Sequence, residues 1–188
     1  MKSAPTCQLV ISGVGGQGVL FITRLLAEAA ISKDLPVHTS ETHGMAQRGG
    51  TVVSHLKVGS FASPLITPGR ADGLMALKAE TFFQYSPYLL PSGWAAVNSP
   101  SPMEPFANAE AVVIDADRLA TEAGQPKSVN LMVLGFFLAM AEKKQAASHF
   151  FCTEKNIRTI LENRLQKKNP QLLESFLSAL EIGVMAAG

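Results

Sequence analysis

Two short stretches carry the residue types that chemistry would need. The first is Gly13-Val14-Gly15-Gly16-Gln17-Gly18, four glycines in six residues, directly after the apolar run Leu9-Val10-Ile11. Gly13, Gly15 and Gly18 satisfy G-x-G-x-x-G, a spacing that cradles phosphate when a strand precedes it and a helix follows. The N–H groups of a helix's first turn, with the helix dipole behind them, favour an anion. The same glycines would equally serve a turn that only packs the first helix on the first strand. The second stretch is Glu41-Thr42-His43-Gly44-Met45-Ala46-Gln47-Arg48-Gly49-Gly50, polar, glycine-bearing and without periodicity. Arg48 offers a planar guanidinium that grips phosphate or carboxylate through two hydrogen bonds. His43 can donate or accept a hydrogen bond, toward a ligand or toward backbone.

If the sheet is parallel at this edge, the loops after the first and second strands open at the same end, where ligands of open α/β sheets bind. Gly15, Gly16, Gln17 and Gly18 then lie beside Glu41, His43, Gln47 and Arg48. Two functional readings follow. In one, Glu41, roughly 20 residues beyond the glycines, is the ribose-binding acid of a free-standing Rossmann-like dinucleotide-binding module. Against it, a long polar loop follows the acid and no second domain remains to hold a substrate. In the other, the paired loops form a docking surface for another subunit, or one wall of a composite site. Other chemistry has little support. His38, His43, His55 and His149 do not combine with Cys, Asp or Glu at metal-ligand spacing. Ser12 precedes a glycine, but G-x-S-x-G is absent. Asp115 and Asp117 could pair as carboxylates, although capping the next helix is the simpler role.

The elements that must position these loops alternate. After the glycines, Val19, Leu20, Ile22, Leu25, Leu26 and Ala29 recur at helical spacing, closed by Asp34 and Pro36. Strands are expected over 36–40, 51–58, 73–77, 94–97 and 111–114, with a Pro87-broken helix over 79–90 and a proline-rich loop over 98–105. Four helices follow, over 116–123, 129–144, 153–168 and 170–186. The fold expected is a three-layer α/β/α domain, residues 1–188, with a parallel or mixed central sheet and a helical C-terminal third. Leu131 to Ala141 reads as a buried helix too short to span a bilayer. Leu172, Leu173, Phe176, Leu177 and Leu180 form an apolar stripe expected to face the core.

Composition narrows the partners. A chain of 188 residues with 47% hydrophobic and only 16% charged residues has a sparsely charged surface, as expected where a partner covers part of it. A net charge of +1 leaves no basic footprint for nucleic acid. Cys7 and Cys152 are too few for a disulfide framework or a four-cysteine iron–sulfur site. They read as inert thiols of a cytoplasmic protein, and no signal-peptide pattern precedes the first strand.

The glycine loop Gly13-Val14-Gly15-Gly16-Gln17-Gly18-Val19 and the stretch Glu41 to Gly50, in this order and spacing, resemble the gamma subunit or gamma domain of the 2-oxoacid:ferredoxin (acceptor) oxidoreductases. Within that family the chain most resembles the small beta subunit of indolepyruvate ferredoxin oxidoreductase. A third element, Asn130-Leu131-Met132-Val133-Leu134-Gly135, is similar to the family's Asn-bearing helix opening. The resemblance implies a heteromeric complex that oxidatively decarboxylates 2-oxoacids, aryl pyruvates favoured, to acyl-CoA and reduces ferredoxin. It implies that thiamine diphosphate and the iron–sulfur clusters lie in a larger partner subunit. This chain then holds no cofactor or metal alone, has no catalytic residue of its own and is inactive in isolation. The site residues it implies, for coenzyme A or for the partner, are Gly13, Gly15, Gly16, Gln17, Gly18, Glu41, His43, Gly44, Gln47, Arg48, Gly49 and Asn130. Neither nucleic acid nor membrane is an expected partner.

Overall fold

The computed structural model describes residues 6–43, 50–104, 109–144 and 150–188. Six strands form one sheet: β1 (Cys7–Val14), β2 (Val37–His43), β3 (Thr51–Val58), β4 (Ala71–Ala76), β5 (Leu89–Asn98) and β6 (Glu110–Ile114). Their spatial order is β2-β3-β1-β4-β5-β6. The sheet is mixed. β3 runs antiparallel to both β1 and β2, whereas β1, β4, β5 and β6 are parallel. A short connection suffices for the antiparallel β2–β3 pair. Every strand except β3 therefore ends on the same side of the sheet.

The local expectations hold in type and shift at the boundaries. β2 continues through Glu41, Thr42 and His43, expected in the loop, because these residues pair with Ser54, Val53 and Val52 of β3. The expected broken helix resolves into α2 (Ala79–Tyr85) and a 3-10 turn (Ser86–Tyr88) that carries Pro87. β5 then starts at Leu89, earlier than expected, with a register irregularity opposite β4 between Ala71 and Gly73.

The two faces of the sheet are covered differently. On one, Ile11, Leu56, Val58 and Met75 meet α1 (Val19–Ile31) and α4 (Val129–Lys143). Around these lie α3 (Ala116–Glu122), α5 (Glu154–Leu165) and α6 (Pro170–Met185). The other face, with Val10, Leu74, Ala95 and Val97, is closed by Phe82 of α2 and Ile66 of the preceding loop. Buried His55 fixes that loop, its Nδ1 accepting from the Ile66 N–H at 3.2 Å. Of the C-terminal stripe, Leu173 and Leu180 are buried, while Leu172 is 37% exposed.

The α4 segment is buried continuously from Leu131 to Leu138. Full burial of a large apolar side chain contributes roughly 1.5–3 kcal/mol, so this segment anchors the core. It also crosses α6 at backbone contact. A Cβ on Gly135 would stand 2.1 Å from the Leu180 carbonyl oxygen, and one on Gly183 would stand 1.9 Å from that of Met132. Two helices approach this closely only where both lack side chains at the crossing. Gly183→Ala must push α6 off α4, an overpacking cost of about 3 kcal/mol or more. The expected result is a fall in Tm of about 6 °C or more, read by calorimetry; an unchanged Tm would mean that the two helices are not in backbone contact.

Candidate functional site

The chain leaves β1 into α1 on one face of the sheet and leaves β4 into α2 on the other. β1 and β4 are adjacent and parallel, yet their connections run to opposite sides of the sheet. This is a topological switch point, where the ends of neighbouring strands leave a crevice open. A cleft of about 420 Å³ lies there, lined by Gly16, Gln17, Leu77, Asp117, Pro126, Lys127, Val129 and Asn130.

Gln17 builds the floor. Its Oε1 accepts from the Val14 N–H at 2.8 Å, and its Nε2 donates to the Leu77 carbonyl at 3.2 Å. The loop is thus tied both to the end of β1 and to the residue following β4. Gly18, at φ 83, is the N-cap of α1 in the left-handed region that favours glycine. The Asn130 side chain packs over it: a Cβ on Gly18 would stand 2.1 Å from Asn130 Nδ2. Asn130 is the second residue of α4, and its Oδ1 accepts from the Leu131 N–H at 2.8 Å. The N-termini of α1 and α4 therefore meet at the cleft, and neither N-cap residue, Gly18 or Ser128, caps its helix with a side chain. Two positive helix ends beside Lys127 suit an anionic group.

Among the described residues, the second stretch meets the first at Gly50. The Gly15 N–H donates to the Gly50 carbonyl at 3.1 Å, so the start of β3 abuts the glycine loop. Glu41 is exposed on the outer strand, paired with Ser54. β3 separates it from β1, about two strand spacings or roughly 10 Å. That distance removes Glu41 from the ribose position of a dinucleotide fold, where the acid ends the strand next to the glycine loop. For His43 only the backbone is described, paired with Val52. Gly44, Gln47, Arg48 and Gly49 lie outside the described residues, as does His149.

Asn98, a residue not singled out in the sequence, holds two of the cleft's lining residues, Leu77 and Asp117. Asn98, buried at the end of β5, donates from Nδ2 to the Leu77 carbonyl at 3.2 Å and to Asp117 Oδ2 at 2.8 Å. Its Oδ1 accepts from the Ala116 N–H at 2.9 Å. Asp115 and Asp117 do not act as a carboxylate pair: Asp115 caps α3 through the Arg118 N–H, while Asp117 reaches the cleft. The signal for Asn98 was its place, a polar side chain closing an apolar strand.

Metal chemistry finds no support among the described residues, where no three His, Cys, Asp or Glu side chains cluster. Both cysteines are buried, and burial holds both thiols in the protonated form, Cys152 being pushed up to about 12. Such thiols are poor cluster ligands. Among the described residues no helix is long and apolar enough to cross a membrane.

Residues 8–186 match the family model described as pyruvate ferredoxin/flavodoxin oxidoreductase. The chain belongs to that family. It is similar to indolepyruvate oxidoreductase subunit IorB of Archaeoglobus fulgidus, with 28% identity over 88% of this chain and 91% of the relative. Among solved structures it is similar in fold to the keto/oxoacid ferredoxin oxidoreductase gamma subunit of Geobacter sulfurreducens. That likeness has a TM-score of 0.74 and 23% identity, covering 96% of this chain and 98% of that one. It is also similar to the 2-oxoglutarate:ferredoxin oxidoreductase of Magnetococcus marinus, at a TM-score of 0.78 and 22% identity. There it covers 98% of this chain but 31% of the longer one. The family member is thus a component of a 2-oxoacid oxidoreductase, and the dinucleotide-module reading is withdrawn.

The contact between Gly18 and Asn130 joins the first and third sequence elements, and it is testable by a double-mutant cycle. Gly18→Ala should cost about 1–2 kcal/mol for the left-handed backbone, plus roughly 1 kcal/mol for displacing the Asn130 carboxamide from its hydrogen bond. In an Asn130→Ala background only the first cost should remain. Urea unfolding of the four proteins measures the coupling; strictly additive costs would show that Asn130 does not rest on Gly18.

Proposed function

We propose that this chain is the small, cofactor-free subunit of a cytoplasmic 2-oxoacid:ferredoxin oxidoreductase that takes indolepyruvate or a related aryl pyruvate. A larger partner subunit holds thiamine diphosphate and the iron–sulfur clusters, decarboxylates the 2-oxoacid and passes electrons to ferredoxin. This chain supplies a wall of the path by which coenzyme A reaches the acyl group. The name of the Archaeoglobus relative supports the substrate, and the coenzyme A and succinyl-CoA bound in the Magnetococcus enzyme support the co-substrate.

The observation that carries the reading is the cleft itself. Its polar lining from Gly16, Gln17, Lys127 and Asn130 sits where the N-termini of α1 and α4 converge, neither capped by the side chain of its N-cap residue. A phosphate placed there replaces water at the first-turn amides, and the helix dipoles favour its charge. The chain's own contribution is to bind and orient; the chemistry of thiamine diphosphate and the clusters belongs to the partner. Gly13, Gly15, Gly18 and Gly49 would shape the backbone around the ligand. Glu41, His43, Gly44 and Gln47 would serve the contact with the partner subunit. Arg48, two residues before Gly50 in sequence, would add a charged hydrogen bond to phosphate or to the partner.

Arg48→Ala tests this division between folding and function. A side chain that serves a ligand or the partner carries little of the isolated fold, within about half a kcal/mol, so the isolated variant should melt with wild type. In the complex rebuilt with the larger subunit, assembly or turnover should lose about 1.5–3 kcal/mol, the scale of one charged hydrogen bond. The measurement is thermal melting beside 2-oxoacid-dependent acceptor reduction. A variant that melts far below wild type would make Arg48 a structural tie instead.

A further inference from the structure

The cleft carries an acid where an anion site should not want one. Among its lining residues Asp117 is the acidic group, facing the same space as Lys127 and the two helix N-termini. A place in the first turn of α3 suits a carboxylate in general, and that alone would explain an acid pointing along the helix axis. Asp117 is exposed at the cleft, and its carboxylate is bonded to Asn98. Asn98, 4% exposed, spends both Nδ2 hydrogens on the Leu77 carbonyl and on Asp117 Oδ2, and its Oδ1 accepts from Ala116. A flipped carboxamide would set oxygen against oxygen at both of its Nδ2 contacts. The carboxylate is therefore fixed by a partner that cannot turn. Its second oxygen, Oδ1, meets no protein donor among the described residues and faces the open cleft, where a ligand donor can replace water.

We propose that Asp117 is a specificity residue of the cleft, accepting through Oδ1 a hydrogen bond from a donor on the ligand whose phosphate lies at the helix N-termini. This rests on the coenzyme A reading of the cleft. A carboxylate beside a phosphate subsite rewards a neutral donor next to the phosphate. Coenzyme A offers two such donors, a ribose hydroxyl and the amide N–H groups of its pantetheine arm. The cleft then favours a phosphate ester with a donor close by over inorganic phosphate.

Asp117→Asn separates this role from a structural one. Asn98 Nδ2 still requires an oxygen, so the new carboxamide must turn its oxygen to Asn98 and present NH₂ where the ligand expects an acceptor. In the complex with the larger subunit, KM for coenzyme A should rise tenfold or more. kcat should stay within twofold, KM for the 2-oxoacid should not change, and the melting curve should match wild type. Lys127→Ala, assayed in parallel, reports on the cleft reading. Lys127→Ala with a raised KM for coenzyme A and Asp117→Asn without one would overturn the assignment of Asp117 and leave the cleft reading standing. No change in either would overturn the cleft reading itself. A fall in melting temperature with kcat and both KM values altered together would make Asp117 a strand-to-helix tie and overturn the proposal. If Asp117→Asn does not assemble, Asp117→Ala is measured in the same way, and an unchanged KM for coenzyme A again overturns it. Repeating the assay with pantetheine as acyl acceptor identifies the donor: an effect that persists assigns the amide arm, and one that disappears assigns the ribose.

Discussion

The Leu77 carbonyl, one residue past β4, accepts hydrogen bonds from Gln17 Nε2 and Asn98 Nδ2, and the ends of three strands depend on it. Through Gln17 it holds the glycine loop that follows β1. Through Asn98 it holds the end of β5 and the start of α3. A carbonyl has two lone pairs, and both are used. Remove either donor and a strand end loses its register with its neighbour just where the crevice opens. The cleft is therefore a rigid feature of the sheet and not an accident of loops, as a site that must present helix N-termini to a ligand requires.

That rigidity is reinforced from behind. Gly135 and Gly183 bring α4 and α6 to backbone contact, and α4, buried along most of its length, carries Asn130 at its N-terminus to the cleft. Core packing and site geometry share one element, so a change deep in the α4–α6 crossing would move Asn130 relative to Gly18. The opposite end of the sheet is built differently. β2 and β3 pair antiparallel, and Gly50, just before β3, is bonded to the glycine loop. The two recognisable sequence stretches converge because five strands end on one side, not because β1 and β2 are neighbours.

Much of this was legible in the sequence. The strand–glycine–helix opening, the α/β alternation and the buried Leu131–Ala141 helix all follow from periodicity and turn chemistry, which are local. What was not legible is what depends on pairing between distant segments. The antiparallel insertion of β3 between β1 and β2 cannot be read from strand patterns alone, and it removed Glu41 from the ribose position. Asn98 looked like the first residue of a loop, because its value lies in a carbonyl 21 residues away. Gly135 was visible as a glycine in a helix, but its purpose became clear only with α6 laid across it. Asp117 was weighed beside Asp115 as a carboxylate pair; the structure gives one to a helix cap and the other to the cleft.

The central claim is that coenzyme A enters at the β1–β4 switch point of this chain once the complex is assembled. Hydrogen–deuterium exchange of the reconstituted enzyme, with and without coenzyme A, tests it most directly. The account predicts new protection in the peptides covering Val14–Val19 and Pro126–Leu131, with the α5 and α6 peptides unchanged. Protection confined to the partner subunit, with both of these segments exchanging as before, would contradict it.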